Sequence, residues 1–113
     1  VLVNIINNAL DAFEENNLEK KLIFIDIYKE ENNLILKKKD NAGGIKETII
    51  NRIFEPYFTT KHKSQGTGIG LYMSNEIIKK HMNGNLTVCN KNYTYKNIEY
   101  SGAEFIIEIP CEK

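Results

Sequence analysis

The apolar positions change period along the chain. From Val1 to about Glu15, Leu2, Ile5, Ile6, Ala9 and Phe13 recur at helical spacing and form one stripe. Asn4, Asn7, Asn8 and Asp11 fall at i, i+3, i+4 and i+7, on the opposite face. Lys21 to Lys29 is rich in Ile, Phe and Tyr and reads as a strand. Asn32-Asn33 signals a turn, and Leu34 to Lys38 reads as a second strand, so the two form a predicted hairpin. Glu47 to Phe54 reads as a short helix. Ile69 to about Met82 reads as a stronger one, with Ile69, Met73, Ile77 and Ile78 as its apolar positions and Gly84 as its stop signal. Leu86 to Asn90 and Ala103 to Ile109 read as strands, and Asn90 to Gly102 as a polar, Tyr-rich connection between them. Two segments read as loops, Asp40 to Gly44 and Glu55 to about Thr67.

This order is helix, two strands, short helix, helix, two strands. It lacks the strict alternation of a parallel βαβ sheet. It predicts an α+β fold, a two-layer sandwich with helices packed on one face of a mixed or antiparallel sheet. At 113 residues the chain is one domain. A domain of this size buries roughly two thirds of its unfolded surface, enough for a single core.

Charge narrows the function. Fifteen basic and fifteen acidic side chains cancel. No long-range field draws in nucleic acid or an anionic membrane, so any anion site is local. Cys89 and Cys111 are far apart and outside any metal-ligand spacing, which reads as two free thiols in a reducing compartment. No apolar run approaches the ~18 residues of a membrane span.

The polar face of the first helix is the first candidate site. Asn is a poor helix former, because its amide competes for backbone hydrogen bonds. A solvated face would more typically carry Glu, Lys or Gln. An Asn carbonyl is also a neutral oxygen ligand, suited to Mg²⁺ that keeps most of its waters and shares substrate phosphates. From this helix alone, a solvated face and a metal site stay equally open.

Two glycine clusters add to it. Asp40 ends a predicted strand, and Asn41-Ala42-Gly43-Gly44 comes next. A carboxylate there can accept from an exocyclic amine such as that of adenine, and glycines let backbone approach a flat ring. A plain Asx-type turn explains the same residues and, alone, is the preferred reading. Gly66-Thr67-Gly68-Ile69-Gly70-Leu71 opens the Ile69–Met82 helix, where free backbone N–H groups suit phosphate. It is neither a dinucleotide fingerprint nor a P-loop. Lys61, just before it, supplies a cation for a triphosphate. His62 and Lys63 read as solvated, and His81 as a helix C-terminal residue beside the dipole.

Taken in order, these motifs resemble the histidine kinase ATPase domain of the GHKL superfamily, whose fold is the Bergerat type. Val1 to Ala12 looks like its N box, Asp40 to Ile45 like its first glycine box, Ile53-Phe54-Glu55-Pro56-Tyr57-Phe58-Thr59-Thr60-Lys61 like its F box, and Gly66 to Leu71 like its second glycine box. Gly102 to Pro110 resembles its last strand. The resemblance covers residues 1–113 as one catalytic ATP-binding domain, short at the front, without phosphoacceptor or sensor domains.

The resemblance implies ATP and Mg²⁺. Asn8 would coordinate the metal, and Asn4, one turn earlier, would support the phosphates or the metal's waters. Asp40 would bind the adenine amino group, with Gly44 and Ile45 beside the ring. Gly66, Thr67, Gly68, Ile69, Gly70 and Leu71 would line the phosphates, and Asp11 and Lys61 complete the nucleotide set. Asn4, Asn8 and Lys61 are the implied catalytic residues. The F box and the segment after it would form a mobile lid. The implied partners are a histidine phosphotransfer and dimerisation domain of the same protein and a response regulator. The full-length protein would be a homodimer and this fragment a monomer. The domain would be cytoplasmic, its parent either free or anchored in the inner membrane.

One residue departs from the pattern. The first glycine box usually reads D-x-G-x-G, and Ala42 holds its first glycine place. A methyl group is tolerated where φ is negative and strained where it is positive. Gly43 is expected to take over the bend. Another residue separates kinase from hydrolase. The hydrolytic relatives, such as type II topoisomerases, carry a glutamate base where this chain has Asn4, and an amide cannot take a proton. Neither His62 nor His81 lies in the pattern of a family phosphoacceptor. The two rivals are a serine kinase of the anti-sigma-factor type and a module that has lost catalysis and serves as an interaction surface.

Overall fold

The computed structural model describes residues 2–16, 20–58 and 70–111. Helix α1 spans Leu2–Asn16, strand β1 Ile23–Glu30 and strand β2 Asn33–Asp40. Helix α2 covers Gly70–Glu76 and runs on into a π-helical turn at Ile77–His81. Strands β3, Asn85–Tyr95, and β4, Ile98–Pro110, close the fold. The strands lie in the order β1-β2-β4-β3. Every neighbouring pair is antiparallel, so the described sheet is antiparallel rather than mixed.

One sheet face carries Leu36, Lys38 and Asp40 from β2, Ala103, Phe105 and Ile107 from β4, and Leu86 and Val88 from β3, as the register and the two-residue period require. Ile5 of α1 and Ile78 beyond α2 are buried in the same cluster as Phe105, Ile107 and Leu86. Both helices therefore cover one face, and the α+β sandwich holds. A smaller cluster joins Ala9 and Phe13 of α1 to Ala42. The other face is closed by long side chains, with Lys37 over Tyr28 and Lys39 over Phe24 and Tyr93.

Four predicted elements need correction. The stretch from Asn90 to Gly102 is not a loose connection. β3 and β4 run through it as one long hairpin, with Tyr95 opposite Ile98. Its two-residue turn, Lys96-Asn97, has positive φ at both positions (51° and 68°), the twist that suits a tight hairpin. The alternating Tyr93, Tyr95 and Tyr100 are strand formers, and Phe24 packs edge-on against Tyr93 and Tyr95. The first hairpin turns at Glu31-Asn32, one residue early, and Asn33 pairs within β2.

The predicted helix at Glu47–Phe54 contracts to one 3₁₀ turn, Ile50–Arg52. β-branched Thr48, Ile49 and Ile50 favour helix weakly, and burial of Ile53 with Phe54 and Phe58 against the core decides the path. In α2 Met73 points outward at 46% exposure while Leu71 and Ser74 face inward, and beyond it Ile78 is buried as its apolar spacing predicts. Gly84 does come after the helix, but Asn83 adopts the left-handed φ of 54°. Gly84 is needed for space, since a Cβ there would meet the Glu108 carbonyl. Cys89 and Cys111 are free thiols. No helix among the described residues is long and apolar enough to cross a membrane.

Candidate functional site

The site is organised around α1. Its amide face carries Asn4, Asn8 and Asp11, all half-buried, while Asn7 is exposed. Asn4 reaches across to the start of α2. Its Nδ2 donates to the Gly70 carbonyl at 3.3 Å and to the Ser74 hydroxyl at 3.1 Å. Gly70 permits this approach, because a Cβ there would stand 3.2 Å from the Asn4 Oδ1. Ser74 is fully buried at the crossing.

The same helix touches the Asp40 loop through its buried stripe. Ala9 and Phe13 pack on Ala42, which is 4% exposed. Ala42 is not among the residues with positive φ. Gly43 and Gly44 take that role, at 93° and 85°. The expectation that Gly43 carries the bend is met, and the alanine methyl fills core space.

Asp40 is 2% exposed and tightly held. Its Oδ1 accepts from the Ala42 N–H at 3.0 Å and the Ala103 N–H at 3.1 Å. Its Oδ2 accepts from the Lys38 ammonium at 3.2 Å. The Asx turn is thus real, and it ties the loop to β4. The Asp40 carbonyl accepts from the Tyr93 hydroxyl at 2.6 Å. Burial pushes the Tyr93 phenol up to about 12, with the charges of Asp40 and Tyr100 adding to it. Burial pushes the Lys38 ammonium below the ordinary lysine value, and its contact with Asp40 opposes that shift.

The rest of the loop is clamped from both sides. Asn41 donates from Nδ2 to the Lys20 carbonyl and accepts the Leu22 N–H at Oδ1, both at 2.9 Å. The Gly43 N–H donates to the Ser101 carbonyl at 3.0 Å. Beyond the glycines, Ile45 is bracketed by Asn90, whose Oδ1 accepts from the Ile45 N–H and whose Nδ2 donates to its carbonyl. Ile45 and Leu71 both lean on the main core.

Among the predicted site residues the structure joins Asn4 to Gly70 and packs Ile45 and Leu71 on the core that holds Ile5 of α1. It places Asn8 and Asp11 further along α1, and sets Asp40 at the end of β2 beside β4 and Gly44 in the loop beside Asn90. Lys61, Gly66, Thr67, Gly68 and Ile69 lie outside the described residues. So does the F box beyond Phe58, although its start is anchored by buried Ile53 and by Phe54 edge-on to Phe105. Sequence reasoning missed Lys38, Asn90, Tyr93 and Gly102 as parts of the site's frame. A Cβ on Gly102 would collide with the Asp40 carbonyl oxygen, and the only hint was a glycine at the head of a strand. Lys38 was legible only as a polar residue out of step with strand alternation.

Over residues 1–113 the chain matches the family described as histidine kinase-, DNA gyrase B-, and HSP90-like ATPase, and it belongs to that family. It is an ATP-binding domain of that fold. The two-component sensor PprA of Pseudomonas aeruginosa is 34% identical over 113 residues, covering 97% of this chain and 11% of that protein. Sporulation kinase A of Bacillus subtilis is 37% identical over 81 residues, 72% of this chain and 12% of that protein. The catalytic domain of histidine kinase ThkA, in a nucleotide-free form, superposes with a TM-score of 0.70 at 30% identity, covering 96% of this chain and 62% of that one. The chain spans about a tenth of the length of these curated relatives.

Proposed function

We propose that this chain is the catalytic ATP-binding domain of a two-component sensor histidine kinase. In that reading the γ-phosphoryl group of ATP passes to a histidine on a separate dimerisation domain of the same protein, and then to an aspartate of a response regulator. The parent is a homodimer, and its catalytic domain works in the cytoplasm. The names of the similar proteins support this reading, since they are sensors and kinases rather than topoisomerases or chaperones.

The observation that carries it is the environment of Asn4. The position where hydrolytic relatives keep a glutamate base holds an amide whose nitrogen is committed to Gly70 and Ser74. It spans two helices and cannot accept a proton from water. That leaves the domain to position and stabilise a phosphoryl group. Asp40 receives the exocyclic amine of adenine, Gly44 and Ile45 flank the ring, and Gly70 and Leu71 lie at the phosphate end. Lys61 and the residues from Gly66 to Ile69 complete that end.

Asn8 is the metal residue in this reading, with Asn4 and Asp11 beside it. Among the described residues no cluster of three or more acidic, histidine or cysteine side chains could cage a metal. A single neutral oxygen fits Mg²⁺ that takes its other ligands from water and phosphate. When bound there it would neutralise phosphate charge.

Calorimetric titration with ATP, with and without Mg²⁺, tests the assignment. Wild type is expected to bind, Asp40→Ala to lose binding, and Asn8→Ala to lose the magnesium dependence. A folded wild type that binds no nucleotide would sink the proposal.

A further inference from the structure

Lys38 is a lysine with no exposed surface. It sits on the helix-covered face of β2, opposite Phe105. Its neighbours Lys37 and Lys39 take the other face, over Tyr28 and Tyr93. Strand alternation thus puts an ammonium where the core wants an apolar side chain. The ammonium lies 4.7 Å from the centre of the Phe105 ring and 3.2 Å from Asp40 Oδ2.

Stability does not account for this pair. Replacing a buried ion pair by apolar groups of similar volume is often neutral or favourable. The fold's own use of Asp40 runs through the other oxygen, because Oδ1 already accepts two backbone N–H groups that hold the loop to β4. Oδ1 therefore serves the fold. Oδ2 is held by Lys38 and keeps a further lone pair for an outside donor.

We infer that Lys38 is a positioning residue for base recognition: its ammonium holds Asp40 Oδ2 as a charged acceptor, so that preference for an amino-bearing purine depends on Lys38 as well as on Asp40. This rests on the proposed reading that Asp40 receives the base. Without the ammonium, Oδ2 loses the charged donor that fixes its orientation and meets the base amine as a less ordered acceptor.

The test compares binding of ATP with binding of purine riboside triphosphate, which lacks the amine, in wild type, Lys38→Met and Asp40→Asn. Wild type is expected to prefer ATP by about tenfold or more, the scale of one hydrogen bond to a charged acceptor. Lys38→Met, which conserves volume, is expected to stay folded by circular dichroism and cut that preference below about threefold, while binding the amine-free nucleotide much as wild type does. Should Lys38→Met fail to fold, Lys38→Gln keeps a donor without the charge and is expected to reduce the preference in the same direction. A wild type indifferent to the amine, or an Asp40→Asn variant that keeps the preference, overturns the assignment of Asp40 and this inference with it. A preference that Asp40→Asn abolishes and Lys38→Met retains overturns the role of Lys38 alone. Equal weakening of both nucleotides by Lys38→Met also overturns it, since that is the signature of a purely structural lysine.

Discussion

Asn90 holds both backbone polar groups of Ile45: its Oδ1 accepts from the Ile45 N–H at 2.8 Å, and its Nδ2 donates to the Ile45 carbonyl at 2.7 Å. A strand residue thereby replaces the backbone partners that the segment after the glycine turn would otherwise lack. It does so at the sheet end where Asp40 and Ala103 meet, so the clamp sets where the chain leaves the candidate base site.

This clamp couples to Gly44. A Cβ on Gly44 would stand 2.7 Å from Asn90 Oδ1, and the glycine sits at φ 85°. Gly44→Ala is expected to destabilise the domain by about 2–3 kcal/mol, from left-handed strain and overpacking together. Adding Asn90→Ala should relieve the steric part and leave the strain. The double variant is then less damaged than the sum of the single ones. Chemical denaturation of all four proteins measures this, and strict additivity would refute the coupling.

Gly102 and Gly43 make a contrasting pair. Gly102→Ala drives a methyl group into the Asp40 carbonyl, where backbone cannot yield cheaply. The expected loss is about 3 kcal/mol or more, with nucleotide binding falling alongside because Asp40 moves. Gly43→Ala meets no atom within 4 Å and suffers only its φ of 93°. Its expected cost is about 1–2 kcal/mol. Thermal unfolding should rank them in that order.

Ala42 invites the reverse substitution. Ala42→Gly restores the glycine of the family pattern, yet the methyl is buried against Ala9 and Phe13. Losing it, and adding backbone freedom to the unfolded chain, should cost about 1–2 kcal/mol. Calorimetry should show no tighter ATP binding, since φ at Ala42 is already acceptable to alanine. A gain in affinity would show that the alanine does strain the loop.

Tyr93 gives a pH prediction. Its phenol is raised from 10.0 to about 12 in the folded protein. The folded state then holds the proton more tightly than the unfolded chain does. The stabilisation is fully present below pH 10 and is lost as pH rises towards 12. Tyr93→Phe also removes the hydrogen bond to the Asp40 carbonyl, at a cost of about 0.5–1.5 kcal/mol near neutral pH. The gap between wild type and variant in thermal unfolding should shrink between pH 10 and 12. A gap that stays constant would refute the shift.

The sequence alone determined α1, the hairpin of β1 and β2 and the position of α2, because local periodicity and turn residues specify those elements directly. It also singled out Asn4, Asn8, Asp40 and Gly70, since asparagines on a helix and glycines beside strand and helix ends are locally anomalous. What it could not supply was partnership over distance. Whether Asn90–Gly102 is a loop or a hairpin turned on Tyr rings packing against Phe24, a residue more than sixty positions earlier. Whether Asp40 is a free acceptor or a held one turned on Ala103, which only strand pairing brings beside it, and on the burial of Lys38, two residues earlier on the same strand face. Gly84 and Gly102 were legible as glycines but not as points of contact, because the need for a missing Cβ belongs to the neighbour's backbone. Periodicity is carried by the residues of one element, whereas close approach, burial of charge and clamping of a loop exist only between elements, and the tertiary structure decides them.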